Sequence, residues 1–342
     1  MRNAFIILLL GATVISCKTT AGTASTITPK KELQIAFGSC NKQNLDNLFW
    51  DDILNLNPDL WIWGGDNIYA DTDDMEKMRA MYEAQNQVPG YREVRKKVKI
   101  LGTWDDHDYG LNDGGVEFKA KVESQQVFLD FLDVPKDNPR RTREGVYHAY
   151  DYQGLGGSVK ILILDTRYFR SPLVKDSLSE RRYAPDLTGK GTILGEKQWS
   201  WLANQLKNSE ADFNLIVSSI QFLSGEHGFE CWANFPNEVS RMEQLITDSG
   251  AEGVILLSGD RHISEFSKKT VPGLSYPLID FTSSGLTHAY RQFDEEPNKY
   301  RVGEVVSTES FGWLTLNLET GEVIMQMRAD DGQVLQELKQ RY

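Results

Sequence analysis

The most constraining feature of this chain is a recurring pattern: short aliphatic runs follow one another, and each breaks off in a cluster of polar, chemically capable residues. Residues 33–40, 59–66, 98–105, 159–167, 213–220 and 253–260 are predicted as strands, being apolar runs too short for buried helices. Between them, 46–56, 73–86, 116–132, 195–208 and 236–248 are predicted as helices. Trp199, Leu202 and Leu206 show the helical spacing, and Gly250 is placed to cap the last helix. Strand–helix alternation predicts a layered α/β core. Further on, 278–282, 313–318 and 323–328 are strand-like and closely spaced. The last two flank the turn Glu319-Thr320-Gly321-Glu322, so the sheets are expected to be mixed, with antiparallel strands at the end.

The strand ends carry the chemistry. They read Gly38-Ser39-Cys40, Gly64-Gly65-Asp66-Asn67-Ile68-Tyr69, Trp104-Asp105-Asp106-His107-Asp108, Asp165-Thr166-Arg167 and Gly259-Asp260-Arg261-His262. In open α/β sheets, ligands bind where loops leave the carboxyl ends of strands. One such end alone could be a turn or a helix cap; five delivering Cys, Asp, Tyr, His or Arg to one edge point to a site. Thiolate, phenolate, carboxylate and imidazole together suit a hard, highly charged metal ion, and carboxylates with amides suit Ca²⁺ or Mg²⁺. Two adjacent cations can clamp the attacking and leaving oxygens of a displacement at phosphorus.

Taken in order, these motifs resemble the PhoD-like (alkaline phosphatase D) family of calcineurin-like metallophosphoesterases, from Phe37 to Ser283-Ser284-Gly285. The resemblance implies a sandwich of two mixed β-sheets flanked by helices, and a cluster of Fe³⁺ with Ca²⁺. It also implies phosphomonoesterase or phosphodiesterase activity by attack of metal-bound hydroxide on phosphorus. Carried over, Cys40 and Tyr69 bind iron and Asp66 bridges the metals. Asp106, Asp260 and His262 complete the ligands, with Asp105 the competitor of Asp106. His107 is the proton donor, made cationic by Asp105 and Asp108, and Arg167 is the counter-charge of the phosphate. Asn67 and His227 are candidate substrate contacts. Some larger relatives carry an extra N-terminal β-sandwich, which the short stretch between Cys17 and the first strand leads us to expect is missing here.

The remaining polar residues divide more simply. His148 sits in an alternating stretch and is read as structural, His288 as a support of the metal ligands, and Asn112 as a weak Ca²⁺ candidate. The acidic group Asp71, Asp73, Asp74 and Glu76 is read as a helix N-terminus. Trp50, Trp61, Trp63, Trp199 and Trp201 are assigned to the core, Trp232 to a pocket wall. For Cys40 the competing expectation is a disulfide to Cys231. Ser39 lacks the Gly-x-Ser-x-Gly elbow of a serine esterase. A net charge of −12 excludes a general nucleic-acid-binding surface.

At the start, Arg2 precedes an apolar stretch at 4–16 that is too short to span a bilayer and ends Val14-Ile15-Ser16-Cys17. This resembles a lipobox, so residues 1–17 are expected to be a lipoprotein signal, with Cys17 acylated and the protein exported and membrane-anchored. A plain secretory signal is the competing expectation. Residues 18–30 read as a flexible tether, and 31–342 as the catalytic domain. A lipid-anchored metal- or phosphate-ligand-binding protein without turnover is the functional rival.

Overall fold

Alternation within each apolar run decides which way its side chains face, and the computed structural model, which describes residues 28–342, shows two sheets built on that rule. The first strands are β1 (Glu32–Gly38), β2 (Leu60–Gly64), β3 (Lys99–Thr103), β4 (His148–Gln153) and β5 (Ser158–Ile163). A short ribbon, β6 (Val174–Lys175) with β7 (Tyr183–Ala184), precedes β8 (Phe213–Val217), β9 (Val254–Ser258), β10 (Ser264–Lys269) and β11 (Leu278–Ser283). Last come β12 (Arg301–Val306), β13 (Phe311–Asn317), β14 (Glu322–Arg328) and β15 (Val334–Arg341). The helices are α1 (Trp50–Leu56), α2 (Met75–Gln87), α3 (Pro89–Lys97), α4 (Asp106–Tyr109), α5 (Lys121–Phe131), α6 (Gly195–Lys207) and α7 (Pro236–Ser249).

One sheet runs β15-β14-β13-β1-β2-β3 and the other β12-β10-β11-β9-β8-β5-β4. β1, β2 and β3 are parallel, as are β5, β8, β9 and β11, while the outer strands pair antiparallel. Both sheets are therefore mixed. Leu33, Ile35 and Phe37 of β1 face Ile161, Leu215, Ile255 and Phe281 of the second sheet, forming the central core. The opposite faces are covered by helices. Trp61 and Trp63 of β2 pack with Trp50, Tyr91 and Phe131 beneath α1, α3 and α5, whereas Leu162, Ile216 and Leu256 pack against Trp199, Leu202 and Ile246 of α6 and α7. The result is a helix–sheet–sheet–helix sandwich, so each sheet is apolar on both faces.

Trp201 is only half-buried, and Trp232 lies in the core under the second sheet, its Nε1 donating to Ser218 Oγ at 2.9 Å, not on a pocket wall. Gly250 does cap α7, with φ 69°. Cys17 and nearly all of the expected signal and tether lie outside the described residues. Among the described residues no helix is long and apolar enough to cross a membrane.

Candidate metal centre

The parallel strands of both sheets end at one edge, where the chain turns abruptly. Cys40 follows β1, Asp66 follows β2, and Asp260 and His262 lie between β9 and β10. All four hold left-handed backbones, with φ of 57°, 51°, 69° and 55°. For a non-glycine residue that conformation costs about 1–2 kcal/mol, and it persists only where the surroundings impose it. The impositions are visible. Asn41 N donates to Asp66 O at 2.8 Å, Asp66 N to Asp108 Oδ1 at 3.2 Å, and His262 N to Ser284 Oγ at 2.8 Å. Glycine is required where the strand ends approach most closely. A Cβ on Gly65 (φ 100°) would lie 2.6 Å from Asp105 Cβ, and one on Gly259 would lie 2.5 Å from Ser39 Oγ.

These turns aim their side chains at one volume. Three sets of donors converge, each with atoms within 4.8 Å of one another: Cys40, Asp66 and His262; Asp66, Asp106 and His107; and Asp66, Asp105, Asp106 and Asp260. Tyr69 joins them, its hydroxyl 3.3 Å from Asp66 Oδ2 and 3.2 Å from His262 Nε2. All six expected ligands are thus brought together, with Asp105 and His107 beside them. His262 Nδ1 lies 3.0 Å from the His288 carbonyl; a proton there is donated to that oxygen and leaves Nε2 facing the cluster.

The electrostatics of the donor set call for cations. Burial, with the charges of Cys40, Asp106 and Asp105, pushes the Asp66 carboxyl well above the carboxylate range. Burial and Asp106 raise Asp260 to about 8. Burial alone would raise the Cys40 thiol, but His262, Ser284 and Tyr69 bring it down to about 6. Burial likewise opposes the charged form of His262, which the charge of Cys40 raises to about 9. Asp105 Oδ2 is buried with no hydrogen-bond partner. Anionic donors packed this closely repel one another, and divalent or trivalent ions remove that repulsion; the residues present fit a metal cluster.

Comparison with known proteins places the chain. The profile of the PhoD-like phosphatase family matches residues 35–331. The chain belongs to that family. It is 23% identical to alkaline phosphatase D of Bacillus subtilis (strain 168) over 274 residues, 68% of this chain and 46% of that protein. It therefore spans about half the length of that curated relative. The solved structure of PhoD superposes with a TM-score of 0.73 at 17% identity, covering 92% of this chain and 69% of that one. Purple acid phosphatase PPD1 from yellow lupin (Lupinus luteus) seeds gives 0.62 at 13% identity, covering 91% and 54%. At such identities the two structures show the shared fold.

Within this PhoD-like site several expected roles need correction. Arg167 cannot reach a phosphate as placed: it is 0% exposed, donating through Nε to Asp105 Oδ1 at 2.5 Å and through Nη1 to Glu230 Oε2 at 2.6 Å. Arg170 binds the same Glu230, so the arginines and carboxylates form a buried network behind the ligands. Asn67 is also fully buried. Its amide donates to Thr103 O and Asp108 Oδ2, at 3.0 and 2.5 Å, and so ties β2 to β3 instead of meeting substrate. His227 does line the cleft beside the site, but both its ring nitrogens are already engaged, by Gln221 Oε1 at 3.1 Å and Phe229 N at 3.2 Å. Burial and Arg261 lower it to about 3, so it is neutral.

The acidic partner of His107 is Asp71, whose two oxygens lie 2.8 Å from Nδ1. Asp105 and Asp108 turn inward instead, Asp105 to Arg167 and Ser219, Asp108 to the backbone amides of Asp66, Asn67 and Asp105. Burial opposes charge on His107, but Asp71 and Asp106 raise it to about 9. Asp74 does cap α2, whereas Asp71 belongs to the site. Cys40 and Cys231 are both free thiols, which removes the disulfide. His148 lies in β4, its charged form disfavoured by burial. Asn112 is exposed, and the neighbouring Asp113 serves the loop instead, its amide donating to Asp106 Oδ2 at 2.6 Å. Glu230, Ser219 and Ser284, which hold the ligands, carried no sequence signal except the position of Ser284 near the end of the motif series.

Proposed function

We propose that this PhoD-like protein hydrolyses phosphate esters at a two-metal or larger centre organised by Asp66. The observation that carries the reading is that Asp66 is common to all three converging donor sets, so its carboxylate would be shared by ions held in them. Cys40, Tyr69 and His262 supply sulfur, phenol and imidazole on one side, the set suited to Fe³⁺. Asp105, Asp106 and Asp260 supply oxygen alone on the other, the set suited to Ca²⁺. Bound there, the ions would supply Lewis acidity toward water and toward the phosphoryl oxygens.

The chain's own residues do the rest. His107, held at Nδ1 by Asp71, whose carboxylate favours the protonated ring, is placed to give a proton to the departing alkoxide. The counter-charge role expected of Arg167 passes to Lys42. Its amide is pinned to Thr287 Oγ1 at 2.7 Å and its Nζ lies 5.5 Å from the Tyr69 ring centroid. Among the described residues its ammonium has no ion-pair partner, unlike Arg167, Arg170, Arg182 and Arg261. We place the protein outside the cytoplasm, anchored through a lipid on Cys17; the pattern of Arg2, the apolar run at 4–16 and Cys17 supports this.

The test is hydrolysis of chromogenic monoester and bis-ester phosphates by the soluble fragment from Lys30 onward, with and without added Ca²⁺, and with metal content read on the same samples. Turnover that Asp66→Ala abolishes together with bound metal supports the reading, and the faster ester defines the activity. Full metal content without turnover of either ester favours a ligand-binding protein, and absence of bound metal overturns the metal centre.

A further inference from the structure

Beside His262 the surface opens into a cavity of about 340 Å³ lined by Phe229, Arg261, His262, Ala289 and Tyr290. Its walls differ from the acid-rich centre next to it. Two aromatic residues stand on one cavity that a candidate metal ligand also lines, with Phe229 37% and Tyr290 38% exposed. Aromatic residues left open to water on the wall of one cavity give a flat, apolar group something to cover.

Both rings are tied to the site. Tyr290 N donates to the His262 carbonyl at 2.7 Å, so the residue moves with the ligand. Phe229 N donates to His227 Nδ1 at 3.2 Å, which gives the buried His227 an indirect part here. The Arg261 guanidinium lies 4.0 Å from the Phe229 ring centroid and is itself fixed by Glu296 through two hydrogen bonds of 2.6 and 2.7 Å. A cation held against a ring polarises and orients it, leaving a rigid platform for stacking. The neighbouring cleft that shares Phe229 is lined mainly by charged residues, among them Arg181, Arg182, Glu226 and Glu295. A polar ester group would have that cleft; the cavity offers rings.

We infer that this cavity seats the organic group of the substrate, and that the group it selects is planar and aromatic, as in an aryl or nucleoside phosphate ester. The inference rests on the reading that the phosphoryl group binds at the Asp66 centre.

The experiment measures binding of phenylphosphonate and ethylphosphonate, which cannot be hydrolysed as esters, to the metal-loaded protein by calorimetry. Hydrolysis of phenyl and ethyl phosphate is followed in parallel. Phenylphosphonate is expected to bind roughly tenfold more tightly, the scale of one ring-stacking contact. Phe229→Ala and Tyr290→Ala should each bring the phenyl-to-ethyl ratio toward unity, and Phe229→Tyr should keep it. A parental ratio near one, or a ratio that both alanine variants leave intact, overturns the inference. Turnover of both esters without aryl preference would sink the subsite and leave the hydrolase standing. Aryl-selective binding that depends on Phe229, with no turnover of either ester, would uphold the subsite and overturn the hydrolase reading.

Discussion

Arg167→Met separates two roles that one arginine can play at a phosphate site. Methionine occupies similar space but donates nothing. The substitution leaves Asp105, wholly buried, without its guanidinium, and leaves Glu230 with Arg170 alone. Breaking a buried pair by removing one partner costs about 3–5 kcal/mol. Proton uptake by Asp105 relieves part of this, because burial already raises that carboxyl and Arg167 is the largest influence lowering it. The lower end, about 3 kcal/mol, is therefore expected, and at about 2 °C per kcal/mol for a domain of this size Tm should fall by about 6 °C. The assay is a thermal unfolding scan of metal-loaded parent and variant, with kcat and KM on the same preparations. Arg167→Met should lose Tm together with metal affinity, since Asp105 stands among the converging donors. Lys42→Ala should do the opposite, raising KM with Tm little changed. An Arg167→Met protein as stable as the parent, impaired only in KM, would refute the buried-network account and return Arg167 to the phosphate.

Three further outcomes follow from the same geometry. After chelation, stability should fall as pH rises from about 6.5 to 9: Asp260, His107 and His262 all have raised folded values, of about 8, 9 and 9, and so contribute most in their protonated forms. Cys40, lowered to about 6, opposes this trend through the range, and His148, His227 and His288, all lowered by burial, oppose it near pH 6.5; urea titrations above about pH 7.5 check the net sign, and a rise with pH there would contradict it. Gly65→Ala should destabilise by about 2–4 kcal/mol in chemical denaturation, since the methyl meets Asp105 Cβ and the backbone is left-handed. Finally, reductant should change neither Tm nor gel mobility, and thiol titration of the unfolded fragment from Lys30 should count both Cys40 and Cys231 as free.

The ligands were legible because the chain places them at strand ends, and strands announce themselves by apolar runs. Cys40, Asp66, Asp106, Asp260 and His262 each lie within four residues of the end of such a run. α3 was missed because only Tyr91 and Val94 of its residues are buried, too few to show a period. β10 was missed because it is short of aliphatic residues, Ser264–Lys269 reading Ser-Glu-Phe-Ser-Lys-Lys; β12 and β15 were missed because they are edge strands of which only Val306 is buried, so their apolar residues keep no clean alternation. Partnerships were not legible at all. Arg167 meets Glu230 across 63 positions, and nothing in the identity of either residue names the other. Asp71 was grouped with Asp73 and Asp74 by composition. Its positive φ, 42°, is a property of the turn that sends it to His107 and has no counterpart in residue type.

The candidate ligands are drawn from both sheets: Cys40, Asp66 and Asp106 follow strands of one, and Asp260 and His262 lie between strands of the other. An ion gripped by both sets is a rivet through the sandwich at one rim. Loading it should therefore raise the unfolding free energy of the whole domain in proportion to the logarithm of metal concentration. The rivet also works in reverse. The contact between Phe37 and Phe281, whose rings meet edge-on at 4.8 Å across the two sheets, sets how one sheet sits on the other. A substitution there, in dry core and remote in chemistry from any phosphate, would shift one half of the ligand set against the other and be felt as weakened metal affinity.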